Sequence, residues 1–235
     1  MPRTQRAEAA SRQSGTSTKT AGAGARKPSP SADAPSTPGA TRLSRRRDRR
    51  KAEIVQTATE LLASHGYQGM SLEDVAERTD IAKATLYHYF SSKDELVGAA
   101  LEALTEEVLT RLEARRQTVP DTSATEQLRA LVDEQILILT ETAPEVATVF
   151  SWPKSWPELF DEPMKDMRRR HDAVFRRVVE EGVRNGEFTC PNINVALQCL
   201  HGILNQSSVW LPGVVGADHA ELRRDAVDCA LRIFS

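Results

Sequence analysis

Residues 71–93 read SLEDVAERTDIAKATLYHYFSSK and predict two short helices joined by a tight turn, with a third helix starting at the end. In the first helix the apolar residues recur at helical spacing, and Ser71 can cap the N-terminus with Asp74 as its capping-box partner. The tripeptide at 79–81 then interrupts this pattern. Asp80 suits the turn because Asp tolerates the left-handed backbone conformation better than most residues other than Gly.

The second helix, predicted over residues 83–90, has one apolar face and one polar face. Leu86 and Phe90 are four positions apart and point toward a core. The opposite face carries Lys83, Thr85, Tyr87 and His88. That face is polar and aromatic without being acidic, as a helix must be to enter a DNA groove walled by phosphates. The alternative is a helical hairpin inside a bundle, with Tyr87 and Tyr89 as ordinary core residues.

A third helix is predicted to begin after Ser92, with Glu95 completing a second capping box. Lys93 lies in its first turn and is placed to meet a DNA phosphate.

These residues resemble the DNA-binding domain of the tetracycline-repressor (TetR) family of bacterial transcription regulators. The resemblance covers about residues 45–100 and rests mainly on TLYHYF at 85–90, followed by SKDEL at 92–96. It implies that Thr85 and Tyr87 contact bases or sugars and that His88 contacts the DNA backbone.

The sequence departs from the family pattern at three positions. The family usually has Gly, Ser and Gly where this chain has Asp80, Ala82 and Ala84. Without a capping side chain at position 82, the second helix loses ~1 kcal/mol of local stability. The methyl group of Ala84 stands where the family allows a close backbone approach to DNA.

Charge is distributed unevenly along the chain. Residues 1–51 hold 13 basic and three acidic residues, a net charge of +10, whereas the remainder holds 18 basic and 30 acidic residues, a net charge of −12. A basic end attracts phosphates and an acidic body repels them, so DNA binding is expected at one end only. The predicted DNA-contacting residues are Arg45, Arg46, Arg47, Arg49, Ser71, Lys83, Thr85, Tyr87, His88 and Lys93.

Residues 1–44 are rich in Ser, Thr, Ala, Pro and Gly and are expected to form a disordered basic tail, because they can bury little apolar surface. Residues 45–95 then form the helix-turn-helix DNA-binding domain, and residues 96–235 an effector-binding and dimerisation domain. No strand pattern is found, so the predicted fold class is all-α. The longer predicted helices cover about 48–65, 92–116, 162–185 and 194–210, the last of them apolar nearly all round.

Composition argues against several classes of protein. No apolar run approaches the ~18 residues of a membrane span, and no signal peptide is expected. Three cysteines at 190, 199 and 229, without a CxxC pair, are typical of a reducing compartment, so a cytoplasmic location is predicted. Motifs for a nucleophile, a phosphate loop or a metal site are lacking, so we predict no enzymatic activity, no catalytic residues, no metal and no cofactor.

The TetR resemblance further implies that the C-terminal helices enclose an effector cavity and that the last two helices pair with a second subunit. The expected dimer-interface residues are Leu200, Leu204, Leu222 and Ile233. The expected effector-binding residues are Phe150, Trp156, Met167, His171, Phe175, Gln198 and Asn205. His171 has a second interpretation, as a core histidine satisfied by its neighbours. Residues 178–188 and 202–213 are similar to family members that sense acyl-CoA or related lipid catabolites.

The leading hypothesis is a homodimeric transcriptional repressor that a small apolar effector releases from a pseudo-palindromic operator. A DNA-binding protein without an effector is the second hypothesis and predicts a solid core. An all-α enzyme or carrier is the third and predicts paired carboxylates or histidine ligands on facing helices.

Overall fold

The structure is a computed structural model and describes residues 38–119, 123–151, 156–214, 216 and 218–235, without the side chains of residues 38–41, 150 and 151. Within these ranges the chain is helical and contains no strand, so the all-α prediction is confirmed. The helices are α1 (Pro38–Gly69), α2 (Leu72–Arg78), α3 (Lys83–Tyr87), α4 (Lys93–Arg116), α5 (Ala124–Leu137), α6 (Pro144–Ser151), α7 (Asp161–Asn185), α8 (Ile193–Trp210) and α9 (His219–Leu231).

The first three helices and the start of α4 pack around one small core that contains Ile54, Val75, Leu86 and Phe90. The capping box of α2 forms as predicted, since the Asp74 amide donates to Ser71 Oγ at 3.1 Å and the Ser71 amide donates to the Asp74 carboxylate. Asp80 adopts the left-handed conformation, with φ of 51°. These local signals give the tight turn of a helix-turn-helix.

Helix α1 begins at Pro38, about ten residues before the predicted start. Residues 38–44, which we assigned to a disordered tail, therefore belong to a helix, and the rest of that tail lies outside the described residues. Residues 42–53 contain no Gly or Pro and are rich in Arg and Lys, which are good helix formers. The helix kinks near its other end at Gly66, where φ is 67°.

Helix α3 is shorter than predicted and ends at Tyr87 instead of residue 90. Ala82 makes no side-chain cap at its start, as expected for a residue without a polar side chain. The chain then leaves the helix through a turn in which the amides of Tyr89 and Phe90 both donate to the Leu86 carbonyl.

The C-terminal domain is built around α5, which packs against α4, α7, α8 and α9. Helix α4 reaches from the N-terminal core into this domain and contacts α1, α5 and α7. A π-helical turn at Ile138–Thr142 follows α5, and Gly186 ends α7 with φ of 77°, as predicted for its C-terminal cap.

Helix α8 is not buried on all sides in the single chain. Ala196, Leu197 and Leu200 face the core, but Val195 and Val209 on the other side are 57% and 71% exposed. None of the helices in the described part of the chain is long and apolar enough to span a membrane.

Candidate DNA interface and effector cavity

The outer face of α3 carries the side chains that sequence reasoning selected for DNA contact. Leu86 is fully buried and orients the helix on the core. The opposite face exposes Lys83, Thr85, Tyr87 and His88, and the Tyr87 side chain is 45% exposed although it is large and aromatic. The sequence pattern therefore placed all four residues on the exposed face, and their contact with DNA stays a prediction.

Lys83 is already engaged in this structure. Its ammonium forms an ion pair with Glu73 on α2 and lies 6.0 Å from the centre of the Tyr87 ring. The hydrogen bond between the two charged groups lowers the pKa of Glu73 and raises the pKa of Lys83. A DNA phosphate must therefore compete with Glu73 for this lysine.

The Ser71 side chain caps the N-terminus of α2. Its hydroxyl accepts from the Asp74 amide and donates to the Asp74 carboxylate at 2.7 Å. This arrangement fixes the start of the helix that supports α3, and a direct DNA contact by Ser71 stays a prediction.

Lys93 occupies the first turn of α4. Ser92 caps this helix by accepting from the Glu95 amide at 3.1 Å. The second capping box differs from the prediction, because the Glu95 carboxylate accepts from the amide and hydroxyl of Ser91, at 2.7 and 2.6 Å. These hydrogen bonds lower the pKa of Glu95.

The N-terminal part of α1 is a strongly basic, exposed helix. Arg42, Arg45, Arg46, Arg47 and Arg49 are exposed, and in the described part of the chain no carboxylate forms an ion pair with any of them. Arg50 differs from its neighbours because it pairs with Glu53 at 2.7 Å and donates to the Thr79 carbonyl in the helix-turn-helix turn. The basic segment of α1 thus ends, at Arg50, beside the turn of the helix-turn-helix.

A cavity of about 660 Å³ lies in the C-terminal domain. Its apolar wall comes from α4, α6 and α7 and from the π-helical turn, and includes Val108, Leu139, Val146 and Met167. The polar wall contains Gln135, Arg168, Arg169, His171, Asp172, Arg176, Asn194, Gln198, His201 and Asn205. The cavity therefore lies between α4 and α8, and its lining is mixed and not only apolar.

Four of the seven predicted effector residues line this cavity: Met167, His171, Gln198 and Asn205. Phe175 is fully buried behind His171, with ring centres 5.1 Å apart. The Phe150 side chain lies outside the described part of the structure. Trp156 does not line the cavity and packs instead against Tyr67 and Phe160, so this assignment was wrong.

The polar wall holds two hydrogen-bonded groups. His171 Nε2 lies 2.7 Å from Gln135 Oε1, and His201 Nε2 lies 3.2 Å from Asp172. The other oxygen of Asp172 accepts from Arg176 Nε at 2.9 Å. Burial, reinforced by nearby His201, lowers the pKa of His171 to about 3. Burial also lowers the pKa of His201, although Asp172 opposes this shift.

Sequence reasoning missed Gln135, Asp172 and Arg176 as cavity residues. The four-residue spacing of Asp172 and Arg176 predicts an ion pair along the helix but does not show which way it faces. Only the packing of α7 against α5 and α8 reveals that this pair belongs to the cavity wall.

Two of the predicted interface residues were assigned wrongly. Leu200 and Leu204 are 0% and 1% exposed in the single chain, because they form the core contact of α8. Leu222 and Ile233 are half-buried. The exposed face of α8 instead carries Val195, Cys199, Gly202, Gln206 and Val209, with alternating spacings of four and three residues. Such spacing is typical of a helix that packs along another helix.

Two family models match this chain. The model described as bacterial regulatory proteins, tetR family, matches residues 54–100. The model described as tetracyclin repressor-like, C-terminal domain, matches residues 121–234. Together the two cover well over half of the chain, and they include the helix-turn-helix and all of the cavity lining except Thr105, Val108 and Leu109 of α4.

Curated relatives and solved structures agree with these matches. The HTH-type transcriptional repressor KstR2 from Mycolicibacterium smegmatis is 29% identical over 152 residues, which is 63% of this chain and 71% of the relative. The structure of FadR from Bacillus subtilis in complex with stearoyl-CoA is 18% identical, has a TM-score of 0.66 and matches 78% of this chain and 99% of FadR. The structure of AibR in complex with isovaleryl coenzyme A and operator DNA is 20% identical, has a TM-score of 0.65 and matches 79% and 98% of the two chains. At these identities the two structures show a shared fold.

Proposed function

Since the chain belongs to the TetR family of bacterial transcription regulators, we propose that it is a homodimeric, cytoplasmic repressor that a small molecule releases from operator DNA. The family assignment makes it a DNA-binding regulator and not an enzyme. The observation that carries the proposal is the exposed face of α3, which presents Lys83, Thr85, Tyr87 and His88.

Base contacts give specificity and phosphate contacts give position and affinity. In this proposal Thr85 and Tyr87 read the DNA, His88 and Lys93 contact its backbone, and the arginines of α1 add affinity that is independent of sequence. Each lost phosphate contact is expected to lower the slope of log K against log salt by ~0.9.

The direct test is the substitution Tyr87→Ala. Genomic footprinting with the purified protein first identifies bound promoters, and fluorescence anisotropy then measures affinity for a bound fragment and for a scrambled fragment. Tyr87→Ala should abolish the preference for the bound fragment and retain helical content by circular dichroism, because the side chain is already 45% exposed. Tyr87→Phe is the control that retains the ring. Unchanged operator affinity in Tyr87→Ala would refute the assignment of α3.

The proposed dimer forms through α8 and α9, and a symmetric dimer of helix-turn-helix domains reads a pseudo-palindromic site. Support comes from the alternating stripe on α8, in which Val195 and Val209 are apolar and exposed. Exposed apolar side chains aligned on one helix face are typical of a surface that a second chain covers.

The proposed effector is an acyl-CoA thioester or a related lipid catabolite. FadR and AibR, which share the fold, were solved with stearoyl-CoA and isovaleryl coenzyme A. In this chain the wall formed by Val108, Leu139 and Met167 suits an apolar chain, and the exposed Arg168 at the cavity suits an anionic group.

The effector must prefer a conformation whose recognition helices no longer match the half-site spacing. A tenfold loss of operator affinity requires ~1.4 kcal/mol of coupling, and operator DNA must weaken effector binding by the same factor. Titration of short-chain and long-chain acyl-CoAs with and without operator, by calorimetry, tests this reciprocity.

A DNA-binding protein without an effector is the second candidate. One observation favours it: in the described residues, every buried side-chain nitrogen or oxygen already has a hydrogen-bond partner, so the buried polar atoms of the cavity wall need no ligand. If no acyl-CoA and no free lipid binds, a DNA-binding protein without an effector becomes the favoured function.

A further inference from the structure

Three aromatic rings form a cluster at the junction of the two domains, which we call the junction cluster: Tyr67, Trp156 and Phe160. The Tyr67 ring centre lies 6.1 Å from that of Trp156 and 5.7 Å from that of Phe160. Trp156 meets Phe160 edge to face, with centres 5.5 Å apart. Such pairs contribute stability beyond the area they bury and fix the ring orientations.

The outer side of the same Tyr67 ring holds the first turn of α4. The Lys93 ammonium lies 4.3 Å from the centre of the Tyr67 ring, which is close enough for a cation–π interaction. The Tyr67 hydroxyl donates to the carboxylate of Asp94 at 2.5 Å. Tyr67 thus contacts two consecutive residues of α4 and holds Lys93 in one place.

Lys93 makes no ion pair that would otherwise fix it. Within the described residues no carboxylate lies within ion-pair distance of its ammonium, in contrast to Lys83, which pairs with Glu73. Free lysine side chains sample many rotamers, and ordering one costs conformational entropy. The Tyr67 ring therefore supplies the main fixed contact of this ammonium.

The junction cluster belongs to a segment that connects two cavity-lining helices. Phe160 directly precedes α7, which carries Met167 and His171, and Trp156 lies between α6 and α7. Phe160 is 2% exposed, so its position follows that of the α7 N-terminus.

We infer that Trp156 and Phe160 are positioning residues for the Lys93 phosphate contact, and that they act through the Tyr67 ring. This inference rests on the proposed function, in which Lys93 contacts DNA. It assigns to these two aromatic residues a share of the operator affinity, although neither is among the predicted DNA contacts.

The test is a double-mutant cycle read by salt dependence. Operator affinity is measured by anisotropy between low and moderate salt for the wild type, Trp156→Ala, Lys93→Met and the double variant. Lys93→Met should lower the slope of log K against log salt by ~0.9, the value for one phosphate contact. Trp156→Ala should lower the slope in the wild-type background and have almost no further effect when Lys93 is already replaced. Trp156→Phe, which retains an aromatic ring, should restore most of the slope.

The outcomes separate this inference from the proposed function. If Trp156→Ala lowers only the melting temperature and leaves the slope unchanged, the junction cluster is structural and the inference is wrong, although Lys93 still contacts DNA. If Trp156→Ala lowers the slope equally with and without Lys93, the residue acts elsewhere and the inference is also wrong. If Lys93→Met itself changes neither affinity nor slope, the DNA contact proposed for Lys93 is wrong, and the inference that rests on it is wrong as well. Should Trp156→Ala not fold, Phe160→Leu retains bulk without the ring and replaces it in the same cycle.

Discussion

Glu73 forms an ion pair with Lys83, the lysine of α3 that we propose as a DNA contact. The side chains of Lys83 and Glu73 are 52% and 59% exposed, and ion pairs this exposed contribute little to stability. The pair is therefore better understood as a competitor of DNA than as a support of the fold.

This interpretation predicts that Glu73→Gln raises DNA affinity, because Lys83 becomes free for a phosphate and one repulsive carboxylate is lost. We expect the slope of log K against log salt to steepen by up to ~0.9 and the free energy of unfolding to change by less than ~0.5 kcal/mol. The measurement is anisotropy over a salt series. Glu77→Gln is the matched control, since Glu77 is exposed on the same helix and its replacement changes the net charge equally. Equal gains in both variants would mean that only net charge matters.

The pKa of His171 predicts an acid-sensitive fold. The group titrates near 6.5 when unfolded and at about 3 when folded, so the unfolded state binds more protons between these values. Stability is therefore fully present above pH 6.5 and is lost as the pH falls toward 3, by up to ~1.4 kcal/mol per pH unit from this residue. His171→Gln, which can still hydrogen-bond Gln135, should flatten that part of the profile.

Urea unfolding at a series of pH values measures the difference between the wild type and His171→Gln. The exposed His65 provides the control, because His65→Gln should leave the profile unchanged. Parallel profiles for the wild type and His171→Gln would show that the folded protein protonates His171 as readily as the unfolded chain does.

At the residue scale, the sequence predicted which side chains are exposed better than it predicted their interaction partners. The four outward residues of α3 follow directly from the helical spacing of Leu86 and Phe90. Their ion pairs do not, because Lys83 and Glu73 are ten positions apart and meet only through the turn. For the same reason the sequence did not identify Gln135 as the hydrogen-bond partner of His171, because the two residues are 36 positions apart.

At the element scale, the end of α7 depends on a glycine that a methyl group cannot replace. A Cβ atom at Gly182 would overlap the ring of Phe188, which is buried and packs 5.6 Å from Phe234. The Gly182 carbonyl also accepts from the amides of Glu187 and Phe188 in the turn that follows. The backbone of Gly182 and the ring of Phe188 are therefore closely packed at the C-terminal end of α7.

Gly182→Ala is therefore expected to destabilise the protein by about 1–3 kcal/mol, as overpacking does. The sign of this stability change is informative, because Gly→Ala in an ordinary helix stabilises the protein by up to ~1 kcal/mol. Gly98→Ala on α4 is the matched control: no atom beyond its own helix lies within 4 Å of the added methyl, so stabilisation is expected. Thermal unfolding of both variants gives the comparison. Stabilisation by Gly182→Ala would show that Phe188 moves away at no cost.

Helix ends were the most predictable elements, because capping is a local interaction between near neighbours in sequence. Ser71 and Ser92 each cap the start of a helix, as predicted. The early start of α1 was missed since the composition of residues 1–44 is dominated by loop-forming residues. The π-helical turn at Ile138–Thr142 carries no sequence signal and arises where α5 is fitted against α6 and α8.

At the scale of the whole molecule, the exposed stripe on α8 argues for a second subunit. The sequence predicted a buried α8 from its apolar content but could not divide its residues between the core and the interface. In the structure Leu200 and Leu204 point inward, whereas Cys199 and Gly202 are exposed at the centre of the stripe. A small residue at the centre allows two helices to approach closely.

Gly202→Arg separates dimerisation from folding. No atom beyond its own helix lies within 4 Å of a Cβ atom at this position, so the single chain can accommodate the longer side chain without a clash. In a symmetric dimer two arginines would face each other across an apolar contact. This is unfavourable because each guanidinium loses its hydration and the two positive charges repel each other. We expect sedimentation to show a folded monomer, and operator affinity to fall by at least tenfold because one half-site is lost. Gly202→Ala is the control and should remain dimeric. A Gly202→Arg variant that sediments as a dimer would place the interface elsewhere, whereas a stable monomer that still binds a full operator tightly would refute the need for a dimer.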